Sequence, residues 1–335
     1  MKNLFGAGKP CSVAALRRRA FMLFLALALA CAAVLDAAEF PTKTVQIINP
    51  FPPGAITDIL ARLLSDKLSS NLGQPVIVVN KSGGGGATGI KAVKDAPADG
   101  YTVLIAPPPI ALIPLARKNI GYSLSDFTPL NLIGITPAVL IVKADAPWKT
   151  FEEFVADVKK KPGQLTFGTP GTGTSGHFSM ELLKKETGVD FVHVPLGGEA
   201  PVAAGILGGN IHTSIIGLGT ARSHLASGGL RALAVTAEKR AKEIPDVPTT
   251  FEKGYPAIEA SPWFAFFVRA NTPPANAGRL AKAIKDAIQD KELAAKIDKS
   301  GVTIENRGPE ETVTFMTEYH KKWSEVARIA KIEAQ

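Results

Sequence analysis

The sequence predicts an α/β chain folded as two lobes, each a mainly parallel sheet flanked by helices, with a hinged cleft between them. Three observations carry this. Short, nearly continuous apolar strands alternate with helical stretches from residue 44 onward, the pattern of a parallel sheet covered on both faces. A long apolar run, LIGITPAVLIVKADAP at 132–147, interrupts the alternation, and the same plan then begins again. A second run, SPWFAFFVRA at 261–270, reads as the crossing back. The boundaries that follow are 39–141 for the first part of lobe one, 142–261 for lobe two and 262–335 for the completion of lobe one. A chain of 335 residues has room for two such units.

The first 38 residues read as a removable export signal. Arg17, Arg18 and Arg19 precede an apolar run of 15 residues, FMLFLALALACAAVL, and small residues end it at Ala37 and Ala38. The run is short for a membrane span, which needs about 20 residues. Arg18 and Arg19 also resemble a twin-arginine signal, so the Sec route is favoured and the twin-arginine route stays open. Cleavage near Ala38 removes Cys11 and Cys31, leaving an exported protein without thiols or disulfides.

In the remaining chain TVQIIN (44–49) is the first strand. DILARLLSDKLSSNLG (58–73) is a helix with Ile59, Leu60, Leu63, Leu64 and Leu68 on one face and Gly73 as its stop. PVIVVN (75–80) is a strand, KSGGGGATG (81–89) a glycine loop and IKAVKDA (90–96) helical; YTVLIA (101–106) is a third strand, ended by prolines 107–109. After the crossing, Thr150 and Glu153 form a capping box before Phe151, Phe154, Val155 and Val158. Strand QLTFGT, helix FSMELLKKET, strand VDFVHVP, a helix of small residues, strand IHTSII, a further helix and strand LRALAVT follow. KRAKEIPDVPTTFEKGYP is a polar loop, and helical stretches around 275–299 and 309–330 finish the chain, with Pro309 opening the last.

The formal charge of +8 falls to +4 once the first 38 residues, with five basic side chains and one acid, are set aside. No Lys/Arg stripe marks a nucleic-acid face. Gly84, Gly86 and Gly89 fit G-x-G-x-x-G, but the loop follows the second strand and no acid follows the third, as a dinucleotide fingerprint requires. No Lys-Ser/Thr follows the glycines, which excludes a Walker A loop. The histidines lack metal spacing, and His177 spoils the nucleophile elbow in GTSGH. No cofactor is expected.

Three strand-to-helix junctions point instead to an anion: NPFPPGAITD (49–58), NKSGGGGATG (80–89) and GTPGTGTSGH (168–177). Such junctions present free N–H groups and the positive end of the helix dipole, and small residues admit a ligand to the backbone.

These same segments, with GVDFVHVP, LRALAVTAEKR and IPDVPTTFEKGYP, resemble the Bug family, periplasmic solute-binding proteins of tripartite tricarboxylate transporters. The resemblance spans about residues 40 to 330. It implies a type II-like periplasmic binding fold, a monomer that traps one organic acid by lobe closure and delivers it to a small and a large membrane subunit. It implies ligand contacts from Phe51, Gly54, Ala55, Thr57 and Asp58, with Thr57 or Asp58 equally able to cap the helix. It implies backbone N–H groups from Gly84, Gly85, Gly86 and Ala87, and contacts from Gly171, Thr172, Thr174, Ser175 and His177.

Departures from the family pattern shape the expected ligand. Pro108 and its neighbours, with Leu196 and Gly197 after HVP, make the walls more apolar, and the stretch 216–219 around Gly217 carries no acid. A cleft without a carboxylate argues against a ligand ammonium group, so a di- or tricarboxylate or an aromatic carboxylate is expected. The competing readings are a secreted α/β hydrolase using Ser175 and a histidine, and a periplasmic sensor of the same ligands.

Overall fold

The computed structural model describes residues 40–329 and 332. The export-signal expectation for 1–38 lies outside the described residues. From Lys43 onward the chain is one compact unit, built on two sheets. No helix among the described residues is long and apolar enough to cross a membrane.

The first lobe begins β1 (Val45–Asn49), α1 (Ile56–Leu72), β2 (Val76–Asn80), α2 (Ala87–Lys94), β3 (Thr102–Ala106), α3 (Pro109–Ala116) and β4 (Phe127–Ile135). The second lobe runs β5 (Ala138–Lys143), α4 (Phe151–Lys159), β6 (Thr166–Thr169), α5 (Ser175–Thr187), β7 (Val192–Pro195), α6 (Glu199–Leu207), β8 (Thr213–Gly217), α7 (Leu218–Ala226) and β9 (Leu230–Val235). The chain then returns through β10 (Trp263–Arg269), α8 (Pro274–Ile288), α9 (Lys291–Lys299), β11 (Thr303–Arg307) and α10 (Pro309–Ile329).

The sheets are mixed rather than mainly parallel. Their orders are β11-β4-β10-β3-β1-β2 and β7-β6-β8-β5-β9. β1 pairs in parallel with β2 and β3, and β6 with β7 and β8. The strands next to the crossings, β4, β5 and β10, pair antiparallel with their neighbours. Strand direction there follows from the return of the chain, which a local apolar run does not encode.

The expected boundary at 141 falls inside β5, which belongs wholly to the second sheet; the chain leaves the first sheet after Ile135. α10 is shared rather than confined to lobe one. Its Phe315 and Met316 pack in the first-lobe core, whereas Trp323, Val326 and Ala327 join the second-lobe core. There Trp323 stands edge-on to Phe178 at 5.7 Å.

Local chemistry sets the element ends. Leu60, Leu64, Leu68 and Leu72 recur every turn of α1 and are buried, each contributing about 2 kcal/mol. Gly73 ends it in the left-handed conformation, its N–H donating to Ser69. Ile59 stays 39% exposed, so the buried stripe is narrower than the sequence pattern. The Thr150 capping box forms as expected. The proline triplet does more than end β3: Pro109 opens α3, where fixed φ suits the first turn. Two features have no strong sequence signal, the edge strand β11 and the break at Asp290, whose carboxylate caps α9.

Candidate functional site

The lobes enclose a cavity of about 480 Å³, a size suited to a small molecule. The first lobe lines it with residues 51–57 and prolines 107–109; the second with Thr174, Ser175, residues 198–201, Gly217, Gly219, Thr220 and His224. Thr136, Pro262 and Phe264 complete it near the crossings. No lysine or arginine is among these residues. The starts of five helices, α1, α3, α5, α6 and α7, border the cavity instead. Each start carries about half a positive charge and N–H groups without intrahelical acceptors.

The five starts differ. At α3 the prolines 107–109 have no N–H, and the Ile110 N–H donates to Pro107 O at 3.3 Å. This wall is apolar. At α1 no side chain caps the helix, so its first-turn N–H groups keep no helical acceptor. The Thr57 hydroxyl beside them is buried and has no hydrogen-bond partner among the described residues. Leaving such a group unpaired costs about 1–3 kcal/mol.

Asp58 holds this loop from behind. Its carboxylate accepts from the Gly54 N–H at 3.0 Å, from Asn80 Nδ2 at 2.9 Å and from Arg62 Nε at 3.1 Å. Burial opposes its ionisation, but the bonds from Arg62, Gly54 and Asn80 outweigh it and hold the carboxyl below its ordinary range. Asn49 clasps Phe51 through both its N–H and its C=O. Asp58 is therefore a brace for the loop, and Thr57 beside it belongs to the cavity lining with its hydroxyl buried.

At α5 the loop is braced by a histidine pair. Thr169 Oγ1 bonds His193 Nε2 at 2.6 Å and accepts from the Gly171 N–H, while the Gly173 N–H donates to His177 Nδ1 at 3.4 Å. The His177 and His193 rings lie 4.4 Å apart beside Phe167. Burial lowers their pKa values to about 3 and about 4, so both are neutral. His177 is thus packed behind the loop, and Thr174 and Ser175 reach the cavity. Among the described residues no hydrogen bond joins Ser175 to a histidine; the His177 Nδ1 accepts from Gly173 instead.

At α7 an acid fills the helix start. Glu199, the first residue of α6, accepts from the Gly217 N–H at 3.0 Å and from the Thr220 hydroxyl at 2.6 Å. The residue is half-buried, and desolvation pushes its carboxyl up, opposed by these two donors. The cleft therefore holds a carboxyl group after all, supplied by α6 rather than by residues 216–219.

The glycine loop does not line the cavity. Its Gly86, Ala87 and Thr88 N–H groups are spent on Gly83 and Gly84 carbonyls, so the expected donors are partly consumed within the loop. It instead meets the second lobe, where a Cβ on Gly171 would lie 3.1 Å from the Gly85 Cα. A second contact of this kind joins the lobes elsewhere: a Cβ on Gly301 would lie 3.1 Å from the Gly219 Cα. Side chains at these points would hold the lobes apart.

Of the residues singled out from sequence, Phe51, Gly54, Ala55, Thr57, Pro108, Thr174, Ser175 and Gly217 line the cavity. Asp58 and His177 brace it, Gly85, Gly171 and Thr172 meet at the lobe contact, and Gly84, Gly86 and Ala87 stay within the first lobe, Gly86 against Phe51. Leu196 packs into the second-lobe core and Gly197 turns in a loop at φ 84°. Sequence reasoning missed Glu199, Thr220 and His224. A fourth strand-to-helix junction, HVPLGGEAP, was the available signal for Glu199.

Residues 60–332 match the family described as tripartite tricarboxylate transporter family receptor. Protein BugT of Bordetella pertussis is 34% identical over 300 residues, 89% of this chain and 92% of that protein. The structure of the periplasmic binding protein BugD superposes with a TM-score of 0.83 at 28% identity, over 88% of this chain and all of that one. An R. palustris protein solved with adipate gives a TM-score of 0.83 at 31% identity, with the same coverage.

Proposed function

The chain belongs to the tripartite tricarboxylate transporter receptor family, and from that premise we propose that this periplasmic solute-binding protein traps an organic carboxylate in the cavity between its lobes and hands it to the small and large membrane subunits of such a transporter. The observation that carries this reading is the start of α1. A buried, unpartnered Thr57 hydroxyl stands beside first-turn N–H groups in a cavity lined by no lysine or arginine. A carboxylate satisfies both kinds of donor and gains the helix dipole. Ser175 at the start of α5 offers a donor from the opposite lobe, so one ligand can draw the lobes together; the Thr174 N–H and hydroxyl are both donated to the Gly171 carbonyl. Prolines 107–109 and Phe264 suit an apolar body between the polar ends.

Closure follows from the ligand binding the closed arrangement better than the open one. The Gly85–Gly171 and Gly219–Gly301 approaches are the places where closure is sterically permitted. Isothermal titration against a panel of organic acids tests the reading. Saturable one-to-one binding with no turnover is expected, together with a rise in melting temperature, because a ligand specific for the folded state stabilises it. Failure of every acid in the panel to bind would sink it.

A further inference from the structure

Resting on that reading, we propose that Glu199 sets the charge the ligand must carry: it closes the α7 end of the cavity to a second carboxylate and makes it a seat for a hydrogen-bond donor, an ammonium or hydroxyl group of the ligand. The residue lines the cavity, and its carboxylate lies on the start of α7, bonded to the Gly217 N–H and the Thr220 hydroxyl. A helix start is where an incoming anion would be held. Here the protein has already placed its own carboxyl group there.

The bookkeeping of lone pairs shows what is left. A carboxylate has about four acceptor positions, and the protein fills two of them. Neither partner is charged, and no cation contributes to holding Glu199. A half-buried carboxylate in that state is short of positive charge, since the helix start supplies only about half a unit. The one other titratable group lining the cavity is His224. A ligand ammonium, or a hydroxyl donating to the open lone pairs, supplies what is lacking. A second ligand carboxylate would face a like charge from the ionised Glu199, which is unfavourable. The α1 start has no such acid aimed into the cavity, because the Asp58 carboxylate is spent on Gly54, Asn80 and Arg62. One end therefore takes the ligand carboxylate and the other takes the donor.

Matched pairs of acids test this by titration calorimetry on the wild-type protein: γ-aminobutyrate against succinate, and ε-aminocaproate or ε-hydroxycaproate against adipate. Each pair has the same chain length and differs at one end. The expected result is at least about tenfold tighter binding of the donor-bearing member in the pair that fits. In Glu199→Gln the side-chain oxygen still accepts from Gly217 and the amide donates to Thr220, so the fold is kept while the charge is lost. There the preference should shrink to within about threefold or invert in favour of the dicarboxylate. A wild-type preference for the dicarboxylate, or a ratio that Glu199→Gln leaves unchanged, overturns the proposal and leaves the solute-binding reading standing. If no acid of either kind binds, both fall. Should the variant fail to fold, the wild-type ratio decides alone.

Discussion

At the start of α1 the first-turn N–H groups lack helical acceptors and the Thr57 hydroxyl has no partner, whereas at the start of α7 the Gly217 N–H and Thr220 hydroxyl are both committed to Glu199. Both helices follow a strand of a mixed sheet, and both border the same cavity. The comparison shows that a helix start is an offer of positive potential rather than a binding site. Whether the offer stands depends on one side chain, and that side chain can come from a different helix.

The largest expected effect comes from removing what keeps the α1 start in place. Asp58→Ala takes away the acceptor for Gly54, Asn80 and Arg62 at once. Affinity for the carboxylate should fall about a hundredfold, measured by titration calorimetry, because the loop carrying Phe51 and Ala55 loses its brace. If Asp58→Ala binds acids as the wild type does, the open α1 start is not the carboxylate seat and the comparison fails.

A smaller effect separates the lobes by pH. His177 and His193 have folded pKa values of about 3 and about 4, below the ordinary 6.5. The unfolded chain therefore takes up protons first, and stability falls as pH drops from 6.5 toward about 4. For His177 this amounts to about 2 kcal/mol at pH 5; half-buried His193 contributes less. Glu199 is raised by burial, so the folded state takes up its proton first, which offsets part of the loss. Asp58 is held low, so its contribution persists down to its ordinary 3.8 and fades only as pH falls through its folded value. Amide exchange should show the α5 loop opening between pH 6.5 and 4 while the α1 loop stays protected. His177→Asn, which keeps an acceptor for Gly173, should flatten that window.

How much of this was legible in the sequence follows from how local each feature is. The junctions 49–58 and 168–177 could be read because strand, small-residue turn and helix are consecutive, and both reach the cavity. The capping box of α4 could be read for the same reason. KSGGGGATG could be recognised as a loop, but its neighbour Gly171 lies across the cleft and far along the chain, so its role in lobe contact had no local sign. Glu199 is bonded 18 residues away, at a helix start whose own sequence carries no acid. Residues 216–219 therefore carry no acid in sequence at a place where the folded protein has one. His177 sits at the right place in the motif and turns inward because Phe167 and His193 offer it a stack.

The smallest effect is also the most direct test of the contrast between the two starts. Thr57 and Thr220 are both threonines in the first turn of a helix, and both line the cavity. Thr57→Val removes a hydroxyl that has no protein partner, so the loss should appear in binding. A hydrogen bond to a charged group is worth about 1.5–3 kcal/mol, which sets the expected loss at tenfold or more; the folded protein should keep or slightly gain stability, since a buried orphan is gone. Thr220→Val removes a hydroxyl already bonded to Glu199 at 2.6 Å. Its cost should fall on stability, with carboxylate affinity changed by no more than about threefold. Paired calorimetry and thermal unfolding of the two variants read both quantities. Equal losses of affinity would mean that the two starts serve the ligand alike, and that Glu199 does not divide them.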